Sequence, residues 1–313
     1  MHVCFDIRKI DFQAFERPVV TLGTYDGVHL GHQDIIRRLI EKSREKERLG
    51  VVVTYEPHPQ SVVAARDAPQ ILTTLEEKLE LLERLGVEET VVINFDQQLK
   101  EYSAEKFVEE ILVGKLNVGE LVVGDDHAFG KNRTGRIDLL RHAALQYDFD
   151  VEVVSSRRAD GIKISSTRIR KELKAGEFAK AKSLLGHSYP ISGTVIKGKG
   201  RGRSLNYPTL NLNVAPEKLL PRDGVYSVGA ELEEGNYGGM LYIGPRPTFQ
   251  DHTHSVEVHL FGLQGDVTDS QVKLWAEAWV REPKNFVDLK HLRNQLRTDE
   301  KTIKEMLRTD RSN

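Results

Sequence analysis

Five short apolar runs, Val19–Leu22, Val51–Tyr55, Thr90–Ile93, Leu121–Val123 and Val151–Val154, recur at intervals of roughly thirty residues through the first part of this chain. Helical patterns separate them. In Asp34-Ile-Ile-Arg-Arg-Leu-Ile40 the residues Ile35, Ile36, Leu39 and Ile40 share one helical face. A second helix opens at Thr73-Thr-Leu-Glu76 with capping-box spacing, continues through Leu75, Leu79, Leu82 and Leu85, and stops at Gly86. Strands alternating with helices at this spacing predict βαβ units and a parallel, doubly wound α/β sheet. Ligands of such sheets bind beyond the carboxyl ends of the strands.

At 313 residues the chain is long enough for about two domains, and the texture changes at His187. From there Tyr189–Ile196, Thr209–Val214, Gly224–Ala230, Gly239–Ile243, Ser255–Leu260 and Gln271–Val280 read as strands separated by Gly, Pro, Asn and Asp. A terminal helical pattern places Phe286, Leu289, Leu292, Leu296, Ile303 and Met306 on one face. Six strands and a helix predict a small closed barrel with the helix laid across it. The expected domains are therefore residues 1–186 and 187–313. The 45 basic and 47 acidic residues nearly cancel, which speaks against a nucleic-acid partner. A lone cysteine, Cys4, excludes an internal disulfide framework and fits a reducing compartment. With no signal-peptide core and no run long enough to cross a bilayer, the expectation is a soluble, cytoplasmic protein without a membrane partner.

The stretch Gly23-Thr-Tyr-Asp-Gly-Val-His-Leu-Gly-His-Gln33 joins the first strand to the first helix. Backbone N–H groups and the positive end of the helix dipole favour anions at such a turn. Gly23, Gly27 and Gly31 clear side chains from where a phosphate chain would approach. His29 and His32 are three apart and face one side, so two imidazoles can donate hydrogen bonds to phosphate oxygens. The same residues also fit a tight turn with two solvated histidines. A zinc pair lacks the cysteine cluster or H-E-x-x-H pattern that would support it.

The stretch resembles the G-x-[FY]-D-G-V-H-x-G-H signature of the bacterial bifunctional riboflavin kinase/FMN adenylyltransferases. Its H-x-G-H core is shared more widely by nucleotidyltransferases and class I aminoacyl-tRNA synthetases. The resemblance implies a Rossmann-like nucleotidyltransferase domain that binds ATP through Gly23, Thr24, Asp26, Gly27, His29 and His32. Lys163-Ile-Ser-Ser-Thr-Arg-Ile-Arg170 resembles the family's S-S-T-x-I-R motif, which adds Ser166, Thr167 and Arg170 to the phosphate contacts. By residue type alone, Ser165, Ser166 and Thr167 open a capped helix. Gly124-Asp-Asp-His-Ala-Phe-Gly130 is similar to the family's G-x-[DN]-F-x-F-G flavin loop, with Asp126 and Phe129 as flavin contacts and His127 in place of an aromatic residue. Glu56-Pro-His-Pro59 also matches, as a rigid turn without a catalytic role.

In the second part, Gly198-Lys-Gly-Arg-Gly-Arg203 suits a flap over a polyphosphate, or a flexible basic hairpin. Pro208-Thr-Leu-Asn211 resembles the P-T-A-N motif of riboflavin kinases. Thr209 and Asn211 are two apart, so on a strand their oxygens share a side and can hold a small hard cation. Asp223-Gly-Val-Tyr226, Pro247-Thr-Phe249 and Val256-Glu-Val-His-Leu260 continue the match. Departures are Asn206 for glycine and Arg246 for asparagine. The resemblance implies ATP binding at Gly198, Gly200, Gly202, Thr209 and Asn211, Mg2+ at Thr209 and Asn211, and Glu257 as general base. It implies riboflavin, FMN and ATP as substrates, FMN and FAD as products, and admits a weak homo-oligomer. A barrel that binds flavin without phosphorylating it is the alternative for the second domain.

Overall fold

The structure is a computed structural model and describes residues 1–5, 7, 16–198, 205–233, 235–246, 251–265 and 267–309. Gly200 and Gly202, with Lys199, Arg201 and Arg203 of the same loop and Pro247-Thr-Phe249, lie outside the described residues. Two compact units part at Ser166/Thr167.

In the first unit, strands β1 (His2–Cys4), β2 (Val19–Leu22), β3 (Gly50–Glu56), β4 (Glu89–Asn94), β5 (Glu120–Gly124) and β6 (Asp150–Val154) form one parallel sheet in the order β1-β4-β3-β2-β5-β6. A parallel sheet covered on both faces needs unbroken apolar strands, and all four residues of β2 are buried. The pleat divides them. Val20, Leu22, Val51, Val53, Tyr55, Val91, Ile93, Leu121 and Val123 enter one core with Phe107, Ile111, Leu112 and Leu140. Helix α1 (Leu30–Glu45) packs against β2, β3 and β5 and buries Ile36 and Leu39. The chain adds β3 and β4 on one side of β2, then β5 and β6 on the other. The reversal point thus lies beside β2, and the segments leaving β2 and β5 meet at the carboxyl edge where such folds bind ligands.

Two local expectations are corrected. The helix expected from Thr73 is Leu75–Arg84 (with the short α2, Pro59–Val63, before it, this is α3), and its capping box is Thr74 with Glu77. Thr73 is occupied otherwise: its hydroxyl accepts a hydrogen bond from Gly27 N–H at 2.9 Å. The edge strand β1 was not expected; three residues pairing with β4 are too short to show a period.

The second unit begins inside a helix, Ser166–Ala175, followed by Phe178–Leu185 and six antiparallel strands. These are β9 (Tyr189–Ile196), β10 (Leu210–Asn213), β11 (Gly224–Leu232), β12 (Gly235–Arg246), β13 (Asp251–Leu260) and β14 (Gln271–Arg281), counting the hairpin β7–β8 (Arg158–Ala159, Ile162–Lys163) of the first unit before them. They close into a barrel, β10-β13-β12-β11-β14-β9. The C-terminal helix, Leu289–Thr309, presents Leu292, Leu296, Ile303 and Leu307 to Leu205, Tyr207, Val225 and Met240. Phe286 precedes that helix, and Leu289 is 50% exposed, so neither completes the apolar stripe as expected. Arg281 clamps the helix through a bidentate pair with buried Asp299, at 2.7 Å from Nη2.

Candidate active sites

The turn after β2 is held in an unusual backbone path. Tyr25, Gly27 and Val28 have φ of 47°, 83° and 37°, and left-handed non-glycine residues cost on the order of 1–3 kcal/mol each. Tertiary bonds over-determine the path. Tyr25 Oη donates to Thr21 Oγ1 at 2.7 Å, because the Thr21 proton goes to Val122 O. Asp26 Oδ1 accepts from Leu72 N (2.7 Å) and Thr73 N (3.1 Å). Gln33 Nε2 donates to Val28 O, and Ser166 Oγ donates to Asp26 O at 2.8 Å. The buried Asp26 carboxylate therefore braces the turn against the segment that starts α3.

His29 is the N-cap of α1, and its Nδ1 accepts from His32 N at 3.3 Å, which leaves the ring proton on Nε2. The two imidazoles stack at 3.6 Å between centroids and 15° between planes, with Tyr25 edge-on to His32. Burial, outweighing the nearby Asp26 carboxylate, pushes the His29 pKa down to about 4. Burial first, then His29, Lys78 and Lys163, holds His32 well below the usual histidine range. At neutral pH both rings are uncharged N–H donors, which is what allows them to stack. His32 Nδ1 is buried with no hydrogen-bond partner among the described residues, a state that costs on the order of 1–3 kcal/mol and is concentrated at functional sites.

Beside this turn stands the loop that leaves β5. Asp126 pairs with Lys163 Nζ at 2.5 Å. Phe129 is buried against Phe107, and His127 stacks on Phe129 at 5.6 Å and 24°. The histidine thus occupies the place an aromatic would fill in the stack. Gly130 has φ 71°, and a Cβ there would come within 2.7 Å of the Ala104 backbone. Lys163 escaped sequence reasoning, although Asp160-Gly161 is a two-residue hairpin signal that would have placed it at the end of β8.

These buried imidazoles carry a pH prediction. Burial also lowers the His127 pKa to about 4, while an unfolded histidine titrates near 6.5. Below that value the unfolded chain binds more protons, so stability falls as pH drops from about 6.5 toward about 4. For His29 alone the shift corresponds to roughly 3 kcal/mol. Urea midpoints of the first unit should decline steeply between pH 7 and pH 4.5, and His127→Phe should flatten the decline. A level midpoint across that window would contradict the buried neutral state.

In the barrel, Asn211 pairs in register with both Glu257 and Ile196. Thr209 Oγ1 donates to Glu257 Oε2 at 3.2 Å and Ser255 Oγ donates to Oε1 at 3.1 Å. The Gly198 backbone lies so close to Asn211 that a Cβ there would collide with Nδ2. Gly198, Thr209, Asn211 and Glu257 are therefore one cluster. His259 Nδ1 donates to Pro208 O at 2.7 Å and fixes the approach to Thr209. Asn206 sits at φ 61°; asparagine is among the non-glycine residues that best tolerate this region, so the replacement keeps the backbone a glycine would adopt. Among the described residues no three His, Cys, Asp or Glu side chains form a metal cluster. The Thr209 hydroxyl and the Asn211 amide oxygen are instead hard oxygen donors of the kind that suits Mg2+.

A Rossmann-like parallel sheet with a paired-histidine turn at its carboxyl edge, and a six-stranded closed barrel with a Thr/Asn/Glu cluster, are the architecture of the two units. The sequence pattern of the FAD synthetase family matches residues 11–168, and that of riboflavin kinase matches residues 185–307. The chain is 35% identical over 288 residues to the bifunctional riboflavin kinase/FMN adenylyltransferase of Escherichia coli (strain K12), covering 92% of each. It is 36% identical over 285 residues to the enzyme so described from Listeria monocytogenes, covering 90% of each. A crystal structure described as a macrolide-efflux protein from Streptococcus pneumoniae superposes with a TM-score of 0.82 at 29% identity, over 97% of this chain and 98% of that one. The chain belongs to the bifunctional riboflavin kinase/FMN adenylyltransferase family. It is an ATP-dependent enzyme that makes FMN and FAD.

Proposed function

We propose that the two reactions divide between the two clusters, with residues 187–313 as the kinase domain and 1–186 as the adenylyltransferase domain. The observation that supports the kinase assignment is the convergence of Thr209 and Asn211 on Glu257. The riboflavin 5′-hydroxyl attacks the γ-phosphate of ATP, Glu257 accepts the hydroxyl proton as the new P–O bond forms, and the bond from the γ-phosphorus to the β–γ bridging oxygen breaks to release ADP. Thr209 and Asn211 would hold Mg2+, which when bound would offset charge on the transferring phosphoryl group. Gly198, Gly200 and Gly202 contact the ATP phosphates.

In the second reaction an FMN phosphate oxygen attacks the α-phosphate of a second ATP, and pyrophosphate leaves. The nucleophile is already an anion, so no base is needed. His29 and His32 donate N–H hydrogen bonds to the phosphate oxygens, and the turn from Gly23 through Thr24, Asp26 and Gly27 supplies the backbone cradle. Ser166 lies beside this turn through its hydrogen bond to Asp26 O. Asp126 and Phe129 receive the flavin.

The enzyme works in the cytoplasm on small molecules, without a nucleic-acid partner; any self-association is weak. No helix among the described residues is long and apolar enough to cross a membrane. Asn211→Ala should weaken the Mg2+ dependence of FMN formation and leave FAD formation from supplied FMN intact. An unchanged Mg2+ titration for FMN formation would remove Asn211 from the metal site.

A further inference from the structure

Lys78 is a buried cation in the first unit for which the reaction above has no use. It lies one turn into α3 and is 4% exposed. Its Nζ donates to Thr54 Oγ1 at 3.1 Å and to Tyr55 O at 3.4 Å, both neutral oxygens. Burial lowers its pKa, partly offset by the carboxylates of Asp26 and Glu56. Taking an ammonium out of water costs several kcal/mol even after relaxation, so a structural filler at this position would be better apolar.

The direction of the next bond shows what the cation does. Thr54 Oγ1, having accepted from Lys78, donates its proton to Thr24 O at 3.3 Å. Thr54 is fully buried in β3, behind the phosphate turn. The Thr24–Tyr25 peptide is trans. In a planar trans peptide the C=O and N–H point in opposite directions, so a carbonyl drawn toward Thr54 aims the Tyr25 N–H away from β3. Tyr25 then takes the left-handed φ that opens the turn.

We propose that Lys78 and Thr54 are positioning residues for adenylyl transfer, forming a relay from Lys78 Nζ through Thr54 Oγ1 to Thr24 O that turns the Tyr25 N–H toward the ATP phosphates. The proposal rests on the assignment of the Gly23–His32 turn to ATP. Lys78 never touches substrate; its charge polarises the Thr54 hydroxyl and fixes one peptide plane. Misplacement of a substrate-positioning group by about 1 Å costs on the order of 10²-fold.

The test compares Thr54→Val, Thr54→Ser, Lys78→Met and the Thr54→Val/Lys78→Met double variant in the full chain, with ATP titrated against saturating FMN. Thr54→Val is expected to lower kcat/KM for ATP by roughly 10- to 100-fold, and Thr54→Ser, which keeps the hydroxyl, to stay within a few-fold of wild type. The double variant should be no worse than Thr54→Val alone, because both break one relay. Riboflavin phosphorylation should be unchanged throughout. Equal losses in the Val and Ser variants, a multiplicative loss in the double variant, or wild-type kinetics in folded Thr54→Val would overturn the relay. His32→Ala separates the two levels. If it retains FAD formation, the ATP assignment of the turn fails; if it loses FAD formation while Thr54→Val does not, the relay alone fails.

Discussion

Glu257→Gln is expected to lower the turnover of riboflavin phosphorylation by on the order of 10²–10⁴-fold, the range general-base help contributes. A ribityl hydroxyl is a weak nucleophile until its proton has somewhere to go. Glu257 stands across from Asn211, with Thr209 and Ser255 hydroxyls donating to its two oxygens. Those bonds orient the carboxylate and leave lone pairs, since two carboxylate oxygens accept about four hydrogen bonds. Glutamine keeps the size, but its amide nitrogen is a donor facing a hydroxyl and it has no basicity. FMN adenylylation, carried by the other unit, should not change. Near wild-type turnover at saturating riboflavin, with chemistry rate-limiting, would return Glu257 to the role of an ordinary strand residue.

His32→Ala should abolish FAD formation while FMN accumulates. Removing one donor of a preorganised anion site costs on the order of 10²–10³-fold in kcat, and His32 does more than donate. Its ring stacks on His29 and meets Tyr25 edge-on. Alanine would leave a void beside both and free the His29 ring from its single orientation, so the loss should exceed that of one hydrogen bond. The backbone N–H of residue 32 would still cap against His29 Nδ1, which keeps the helix start in place. The variant should therefore fold and retain its kinase.

Much of this arrangement was legible from residue patterns. The central strands announced themselves because buried parallel strands such as Val19–Leu22 carry apolar residues on both faces. The His29–His32 pair follows from three-residue spacing at a helix start and the Thr209–Asn211 pair from two-residue spacing on a strand, whereas Glu257 enters only through its resemblance to the family motif. What stayed hidden depends on contacts across long sequence separations. Asp26 reads as a ligand in a phosphate loop, yet its Oδ1 accepts from backbone N–H groups 46 and 47 residues away. Thr73 reads as a helix cap, but Gly27 N–H claims its hydroxyl and the cap moves to Thr74. Lys78 looks like a solvated lysine on an amphipathic helix, and only the tertiary packing buries it beneath Thr54. Asn206 looks like a defect in a glycine position until its φ of 61° shows that asparagine serves the same backbone.

Two independent phosphate chemistries on one chain are separated directly by product analysis. Wild type, His32→Ala and Glu257→Gln are each incubated with ATP and Mg2+ and either riboflavin or FMN, and the flavins are resolved chromatographically. His32→Ala should convert riboflavin to FMN and stop there, whereas Glu257→Gln should convert supplied FMN to FAD at the wild-type rate but form little FMN from riboflavin. Loss of both activities in either folded variant would contradict the division.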